Sequence, residues 1–263
     1  LLLLVSAAAP IAGGQPSEPA PASSAAPPAA PDADPRIAAL EAARAGYAEA
    51  EGKPADEESL ARIKEAIARL RAIPQLREQA GSLSAEAEGA AAQIAAFQAE
   101  LDAPGPDAEA LVPGPDSDFA ALEAAQAGLD GKLQAVRARL DAIGRQRVEQ
   151  TARGEAIPAE LAAALARLDE ADDRLGPLAA SPPNGAPGSG TGATQTQRLI
   201  FEADRDHAQA MIDKLEAERR FLKAIGPRRD LRTKLAEREA AALDRARELL
   251  ATRVASVRER EAA

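Results

Sequence analysis

The chain has 263 residues and a formal charge of −10 at pH 7, and its hydrophobic fraction of 46% includes only 2% aromatic residues. Alanine dominates that fraction; it favours helices but buries little area, so the composition predicts long, thin helical packing rather than a large globular core. The negative charge argues against a nucleic-acid partner, because phosphate binding needs a basic surface. The absence of cysteine excludes disulfides, thiolate metal sites and a cysteine nucleophile.

The first residues predict an export signal followed by a tether. Residues 1–9 contain an apolar run and then small residues, as in the tail of a signal peptide. Residues 10–54 open with a stretch rich in Pro, Ala and Ser, which cannot bury enough apolar surface to become ordered. We therefore expect a disordered N-terminal tether that carries one short amphipathic helix, from about Ile37 to Tyr47.

Residues 55–263 have the pattern of a coiled-coil helical domain. From residue 56 to residue 102, apolar residues recur at spacings of three and four, which is typical of a helix that packs along a seam. Pro74 lies within this pattern and predicts a kink. The expected seam residues are Leu60, Ile63, Ile67, Leu70, Ile73, Leu76, Ala80, Leu83, Ala87, Ala90, Ile94, Phe97 and Leu101.

A second helix is predicted after a segment rich in Pro and Gly, residues 103–118. Because this connection is short, we expect the second helix to pack antiparallel to the first. Gly154 and Pro158 then separate a third segment. The expected seam residues are Phe119, Leu122, Gln126, Leu129, Leu133, Val136, Leu140 and Ile143 in the second helix, and Leu161, Leu165, Leu168 and Leu175 in the third segment.

The last part of the chain begins with a flexible linker, residues 181–194, which is rich in Gly, Pro and Ser. One helix is then predicted to end at Gly226-Pro227 and another to follow it. Two interpretations remain open, a sharply kinked continuous rod and a tight helical hairpin. The expected core residues are Phe201, Ala208, Met211, Leu215, Leu222, Ile225, Leu231, Leu235, Leu243, Leu250, Val254 and Val257.

The predicted fold class is therefore all-α: an elongated antiparallel coiled coil or helical bundle with a disordered N-terminal tether. Surface charges support the helices, because acidic residues stand four positions before basic ones, and each such pair stabilises a helix by a few tenths of a kcal/mol. The pairs are Glu58 with Arg62, Glu65 with Arg69, Glu170 with Arg174, Glu216 with Arg220, and Asp230 with Lys234.

We predict no catalytic, cofactor-binding or metal-binding residue, and we expect that the protein is not an enzyme. His207, the only histidine, lies near Asp204 and Asp206, but on one helix these side chains do not converge on a metal. The Gly-rich residues 188–192 lack the strand and lysine of a phosphate-binding loop.

A basic cluster surrounds Gly226-Pro227 in this otherwise acidic chain. Two interpretations remain open for it, pairing with acidic residues of neighbouring helices and contact with an anionic lipid or cell-wall polymer. The cluster consists of Arg219, Arg220, Lys223, Arg228, Arg229, Arg232 and Lys234.

Residues 212–254 read IDKLEAERRFLKAIGPRRDLRTKLAEREAAALDRARELLATRV. With the signal, the tether and the charged helices, this segment resembles the periplasmic N-terminal region, or porin-like domain, of the large mechanosensitive channels of the small-conductance (MscS) type. In that family a Leu and a basic pair are followed by an Arg-Asp-Leu stretch and another helix. The matching residues are Leu222, Arg228, Arg229, Asp230 and Leu231, and the similarity extends over residues 56–260.

The resemblance implies a non-catalytic extracytoplasmic part of a channel subunit, located in the periplasm and attached to the inner membrane through sequence after Ala263. It implies protein partners or self-association through helices, and no pore residue within the chain. Two other classes remain open: a free periplasmic coiled-coil scaffold or adaptor for cell-envelope proteins, and an enzyme whose helical region is regulatory.

Overall fold

A computed structural model describes residues 34–48, 57–179 and 191–262. These residues form four helices and no strand: α1 (Pro35–Ala48), α2 (Glu57–Asp102), α3 (Phe119–Ala179) and α4 (Thr191–Ala262). The all-α fold class is confirmed. All four helices belong to one compact unit.

Several predicted segments lie outside the described residues. They are the signal peptide at residues 1–9, the Pro/Ala-rich tether up to residue 33 and most of the predicted linker. The prediction of a linker up to residue 194 is wrong at its end, because α4 begins at Thr191.

α4 is the central helix of the unit. Both α2 and α3 pack along it, whereas no Cα atom of α2 lies within 8 Å of a Cα atom of α3. Side-chain contacts show the direction of α2. Along these contacts the residue numbers of α2 and α4 rise together, so the two helices are parallel. The contacts are Arg69 with Asp204, Gln93 with Arg228, and the carbonyl of Leu101 with Arg238.

The helix α3 runs in the opposite direction along α4. Its residue numbers rise as those of α4 fall, which defines an antiparallel pair. The contacts that show this are Asp130 with Arg247, Arg139 with Glu239, and Arg153 with Glu218.

The expectation that α2 and α3 pack against each other is wrong, because the segment between them lies along α4 instead of forming a tight turn. Val112, in the middle of this segment, is 7% exposed and belongs to the core that α3 and α4 share. The guanidinium of Arg253 donates hydrogen bonds to the carbonyl oxygens of Val112 and Pro113. Anchored in this way, the segment carries the chain along α4 before α3 returns.

Arg238 fixes the end of α2 against α4. Its guanidinium donates hydrogen bonds to the carbonyl oxygens of Glu100 (2.6 Å), Leu101 (2.7 Å) and Ala103 (2.9 Å). The last carbonyls of a helix have no partner within the helix and carry partial negative charge, so a cation at this end is favourable. One side chain of α4 thus terminates α2 and positions it.

The seam between α3 and α4 is built from two rows of side chains at seven-residue spacing, the period that keeps a stripe facing a partner helix. The row on α3 consists of Leu122, Leu129, Val136, Ile143, Gln150, Ile157, Ala164 and Ala171. The row on α4 consists of Ala208, Leu215, Leu222, Arg229, Ala236, Leu243, Leu250 and Val257. All are buried except Gln150, Leu222 and Arg229, which are half-buried.

The seam between α2 and α4 uses smaller side chains. Ala203, Ala210 and Ala217 of α4 are at most 1% exposed, and their size lets another backbone approach closely. Ala203 and Ala210 pack with isoleucines and leucines of α2 and with Leu40 of α1. α1 is held further by ion pairs of Arg36 with Asp206 and Glu41 with Arg71, both at 2.7 Å.

Two predicted helix breaks do not occur. Pro158 lies inside α3 and Pro227 inside α4, so the separate third segment and the hairpin at Gly226-Pro227 were wrong. A proline costs a helix interior about 3 kcal/mol. Here both prolines are exposed and the seam rows continue in register past them, so burial on both sides outweighs that cost.

Of the leucines predicted for the third segment, Leu161, Leu168 and Leu175 are half-buried, but Leu165 lies off the seam. Leu165 is 47% exposed, whereas Ile157, Ala164 and Ala171 are at most 4% exposed. The buried seam in this part of α3 continues the seven-residue row, even though two of the residues of that row here are alanines and Leu165 is a leucine.

Three of the five predicted surface ion pairs are present, those of Glu58, Glu65 and Glu170. The prediction for Arg220 was wrong, because its Nε donates to the carbonyl oxygen of Glu216 rather than to the carboxylate. Asp230 and Lys234 form no ion pair with each other in the described structure.

Leu133 packs in the α3–α4 core beside the seam row and is 4% exposed. Leu133→Asp should lower the free energy of unfolding by more than about 2 kcal/mol, because it places an unpaired carboxylate at this buried position. Leu165→Asp is the matched control and should change stability by less than about 0.5 kcal/mol. Urea denaturation followed by circular dichroism measures both. Equal effects of the two substitutions would contradict the seam described above.

Candidate functional site

A polar layer interrupts the α3–α4 seam. Gln150 is the one polar residue in the α3 row and Arg229 the one polar residue in the α4 row, and Arg229 Nη1 donates a hydrogen bond of 2.8 Å to Gln150 Oε1. Because a single polar pair is satisfied in only one alignment, it can specify the register of two helices. We call Gln150 and Arg229 the polar layer.

The polar layer lies beside Gly226-Pro227. At the same level of α4, the neighbouring residue Arg228 contacts α2. There Arg228 Nη1 donates a hydrogen bond of 2.5 Å to Gln93 Oε1. At this point α4 therefore presents consecutive arginines to its two neighbours, and each neighbour answers with the neutral amide of a glutamine. The Nε of Arg229 is buried and has no acceptor among the described residues.

An ion network fixes α3 to α4 next to the polar layer. Arg153 donates to both carboxylate oxygens of Glu218, at 2.6 and 2.8 Å, and to those of Glu160, at 2.5 and 2.9 Å. These hydrogen bonds hold the pKa of Glu218 and the pKa of Glu160 below their usual range and raise the pKa of Arg153. Lys214 adds a second cation 3.4 Å from Glu218.

The basic cluster found in the sequence lies at the same level of α4. None of its seven members forms an ion pair with an acidic residue within the described ranges. The expectation that acidic residues of neighbouring helices pair with the cluster is therefore wrong, since Arg228 and Arg229 contact glutamines. Arg219, Arg220, Lys223 and Lys234 are exposed.

His207 lies in a groove of about 280 Å³ between α2, α3 and α4. Burial, with help from Arg69 and Arg167, holds its pKa below 6.5. The acidic residues once considered as its metal partners are engaged elsewhere, Asp204 with Arg69 and Asp206 with Arg36. No group of three or more histidine, aspartate or glutamate side chains is placed to hold a metal within the described part of the chain.

The remaining sequence candidate, the Gly-rich stretch at residues 188–192, falls mainly outside the described residues. Its last two residues, Thr191 and Gly192, belong to the first turn of α4. Sequence reasoning missed Gln150 and Arg153. The row that starts at Leu122 reaches Gln150 if it is continued by seven residues past Ile143. The seven-residue spacing in the sequence could therefore have located the polar layer.

The fold and this layer define a class of protein: a long helical domain whose partner helices lie along one central helix in a fixed register. No helix in the described ranges contains a stretch apolar enough to cross a bilayer.

The chain belongs to the family of the mechanosensitive ion channel porin domain, whose family model matches residues 45–263. The resemblance inferred from the residues around Leu222 and Arg228–Leu231 is thereby confirmed. No curated protein and no solved structure matches the chain significantly.

Titration of His207 should give a pKa below 6.5, because burial and two nearby arginines disfavour the imidazolium. The folded state then binds fewer protons than the unfolded state, so its stability is fully present above about pH 6.5 and declines as the pH falls below that value. NMR of the only histidine in the chain measures the pKa directly. His207→Gln should abolish the loss of stability that begins as the pH falls below about 6.5, whereas a measured pKa at or above 6.5 would refute the assignment.

Gln150→Leu should destabilise the protein by about 1–3 kcal/mol, because it leaves the guanidinium of Arg229 without its acceptor. Gln150→Leu combined with Arg229→Leu should recover that loss, since an apolar pair completes the two rows. Gln146→Leu, an exposed neighbour on α3, is the control and should have little effect. Urea denaturation compares the variants, and a double variant less stable than Gln150→Leu would show that these residues do not act as a pair.

Proposed function

We propose that the chain is the extracytoplasmic helical region of a mechanosensitive channel subunit whose pore lies in sequence outside this chain. The family match over residues 45–263 carries the proposal. In this role the helices act as a non-catalytic coiled-coil structure in the periplasm, exported by the N-terminal signal and attached to the inner membrane through the rest of the subunit. The alternative of a free periplasmic scaffold has no observation in its favour.

The architecture suits a part that transmits or resists force. α4 has 72 residues, a length of about 108 Å for a straight helix, and both partner helices are fixed to it by side chains distributed along it. Force applied to one end of such a unit acts on many seam contacts in parallel, so it moves the helices together before it separates them. Two sets of polar contacts resist sliding along α4. They are the ion network of Arg153, Glu160 and Glu218, and the hydrogen bonds of Arg238 to the end of α2.

Contacts of this region with other components belong to the same proposal. Self-association through exposed helix faces is one, and contact with the cell envelope through Arg219, Arg220, Lys223, Arg228 and Arg229 is another. Support for the second is that these side chains form no ion pair with the acidic residues in the part of the chain that the structure describes.

Patch-clamp recording on the full-length gene product tests the proposal. The intact subunit should give tension-gated currents, and Leu133→Asp, which disrupts the α3–α4 seam, should shift the tension needed for opening. Leu165→Asp is the control, because the same change at an exposed site should leave the threshold unchanged. Absence of tension-gated current from the intact subunit would overturn the proposed function.

A further inference from the structure

The middle of α4 and the facing part of α3 form a cationic band. Gln150 contacts Arg229, and the helices are antiparallel, so residues 145 and 147 of α3 lie beside the residues that follow Arg229 on α4. We define the cationic band as Arg145, Arg147, Arg219, Arg220, Lys223, Arg228, Arg229, Arg232 and Lys234.

No member of the cationic band forms an ion pair with the acidic residues of the described structure. Fewer acidic residues lie at this level: Glu86 and Glu88 on α2, Glu149 and Glu155 on α3 and Asp230 on α4, besides Glu160, which forms an ion pair with Arg153. On either side of the band the helices are joined by interhelical ion pairs, such as those of Arg69 and Arg139. Uncompensated positive charge is therefore concentrated in one part of a chain whose formal charge is −10.

The band combines mobile and fixed cations. Arg145, Arg147, Arg219, Arg220, Lys223 and Lys234 are exposed, and Arg228, Arg229 and Arg232 are half-buried. Exposed charges attract an oppositely charged partner over a distance. The half-buried guanidinium groups have defined positions, and arginine is the side chain best suited to bind phosphate or carboxylate oxygens through two parallel hydrogen bonds.

We propose that the cationic band binds a strand of a linear polyanion that carries phosphate or carboxylate groups. A strand can contact the band alone. An anionic bilayer lying along α4 would also face the flanking helix segments, where acidic residues outnumber basic ones on both sides of the band. Those segments extend beyond the Debye length of about 8–10 Å, so the positive charge of the band does not cancel the repulsion between them and an anionic bilayer. This repulsion favours a strand over a membrane surface.

Binding of fluorescent long-chain inorganic polyphosphate, measured by anisotropy at low salt, tests the proposal. The test variant is Arg219→Gln/Arg220→Gln/Lys223→Gln, and the matched control is Lys64→Gln/Arg77→Gln/Arg245→Gln, which removes the same charge from exposed sites outside the band. We expect the test variant to bind at least about tenfold more weakly and with a shallower dependence on salt. The control should bind like the wild type, and circular dichroism should show the same helix content in all three proteins.

Three results would overturn the proposal: no binding by the wild type, equal loss in both triple variants, or tighter binding to vesicles of phosphatidylglycerol and phosphatidylcholine in equal parts than to polyphosphate. The last result would make a membrane surface the partner. Tension-gated currents from the full-length subunit are a separate measurement, so failure of polyanion binding leaves the channel assignment standing.

Discussion

The structure depends on the requirement that one helix, α4, buries two separate stripes along its length. Toward α2 it offers alanines such as Ala203 and Ala210, and toward α3 it offers larger side chains such as Leu243 and Leu250. α2 and α3 do not pack against each other, so their positions relative to one another are set through α4. This arrangement explains why Pro227 is tolerated: ending α4 there would interrupt both stripes at once.

The same arrangement gives the polar layer its importance. Two helices joined by repeating rows can slide by one repeat with little loss of apolar contact, unless a position differs from the rest. Gln150 and Arg229 are that position, and the network around Arg153 reinforces it with bidentate hydrogen bonds. Under the function proposed above for this member of the mechanosensitive ion channel porin domain family, a fixed register is the property that would let a load on one helix reach the others.

Local pattern and long-range pairing differed in how well the sequence predicted them. Spacings of three and four identified the helices and most seam residues, because a helix face depends on neighbours within a few turns. The pairing was wrong, since the helical pattern does not say which stripe meets which, and the anchoring of Val112 and Pro113 by Arg253 is not visible locally. Leucine content was misleading around Leu165, where the buried row uses alanine. The basic cluster was visible, but its partner Gln150 was not recognised, because the predicted seam row of the second helix stopped at Ile143, seven residues earlier.

Cysteine cross-linking tests the central position of α4 most directly, because the chain has no cysteine and every introduced pair is unique. With a short thiol-specific reagent, Gln93→Cys paired with Arg228→Cys and Gln150→Cys paired with Arg229→Cys should both cross-link within the monomer. Gln98→Cys paired with Ala121→Cys, which a direct α2–α3 hairpin would bring together, should not. Efficient cross-linking of the Gln98 and Ala121 variant, with none between positions 93 and 228, would contradict the arrangement.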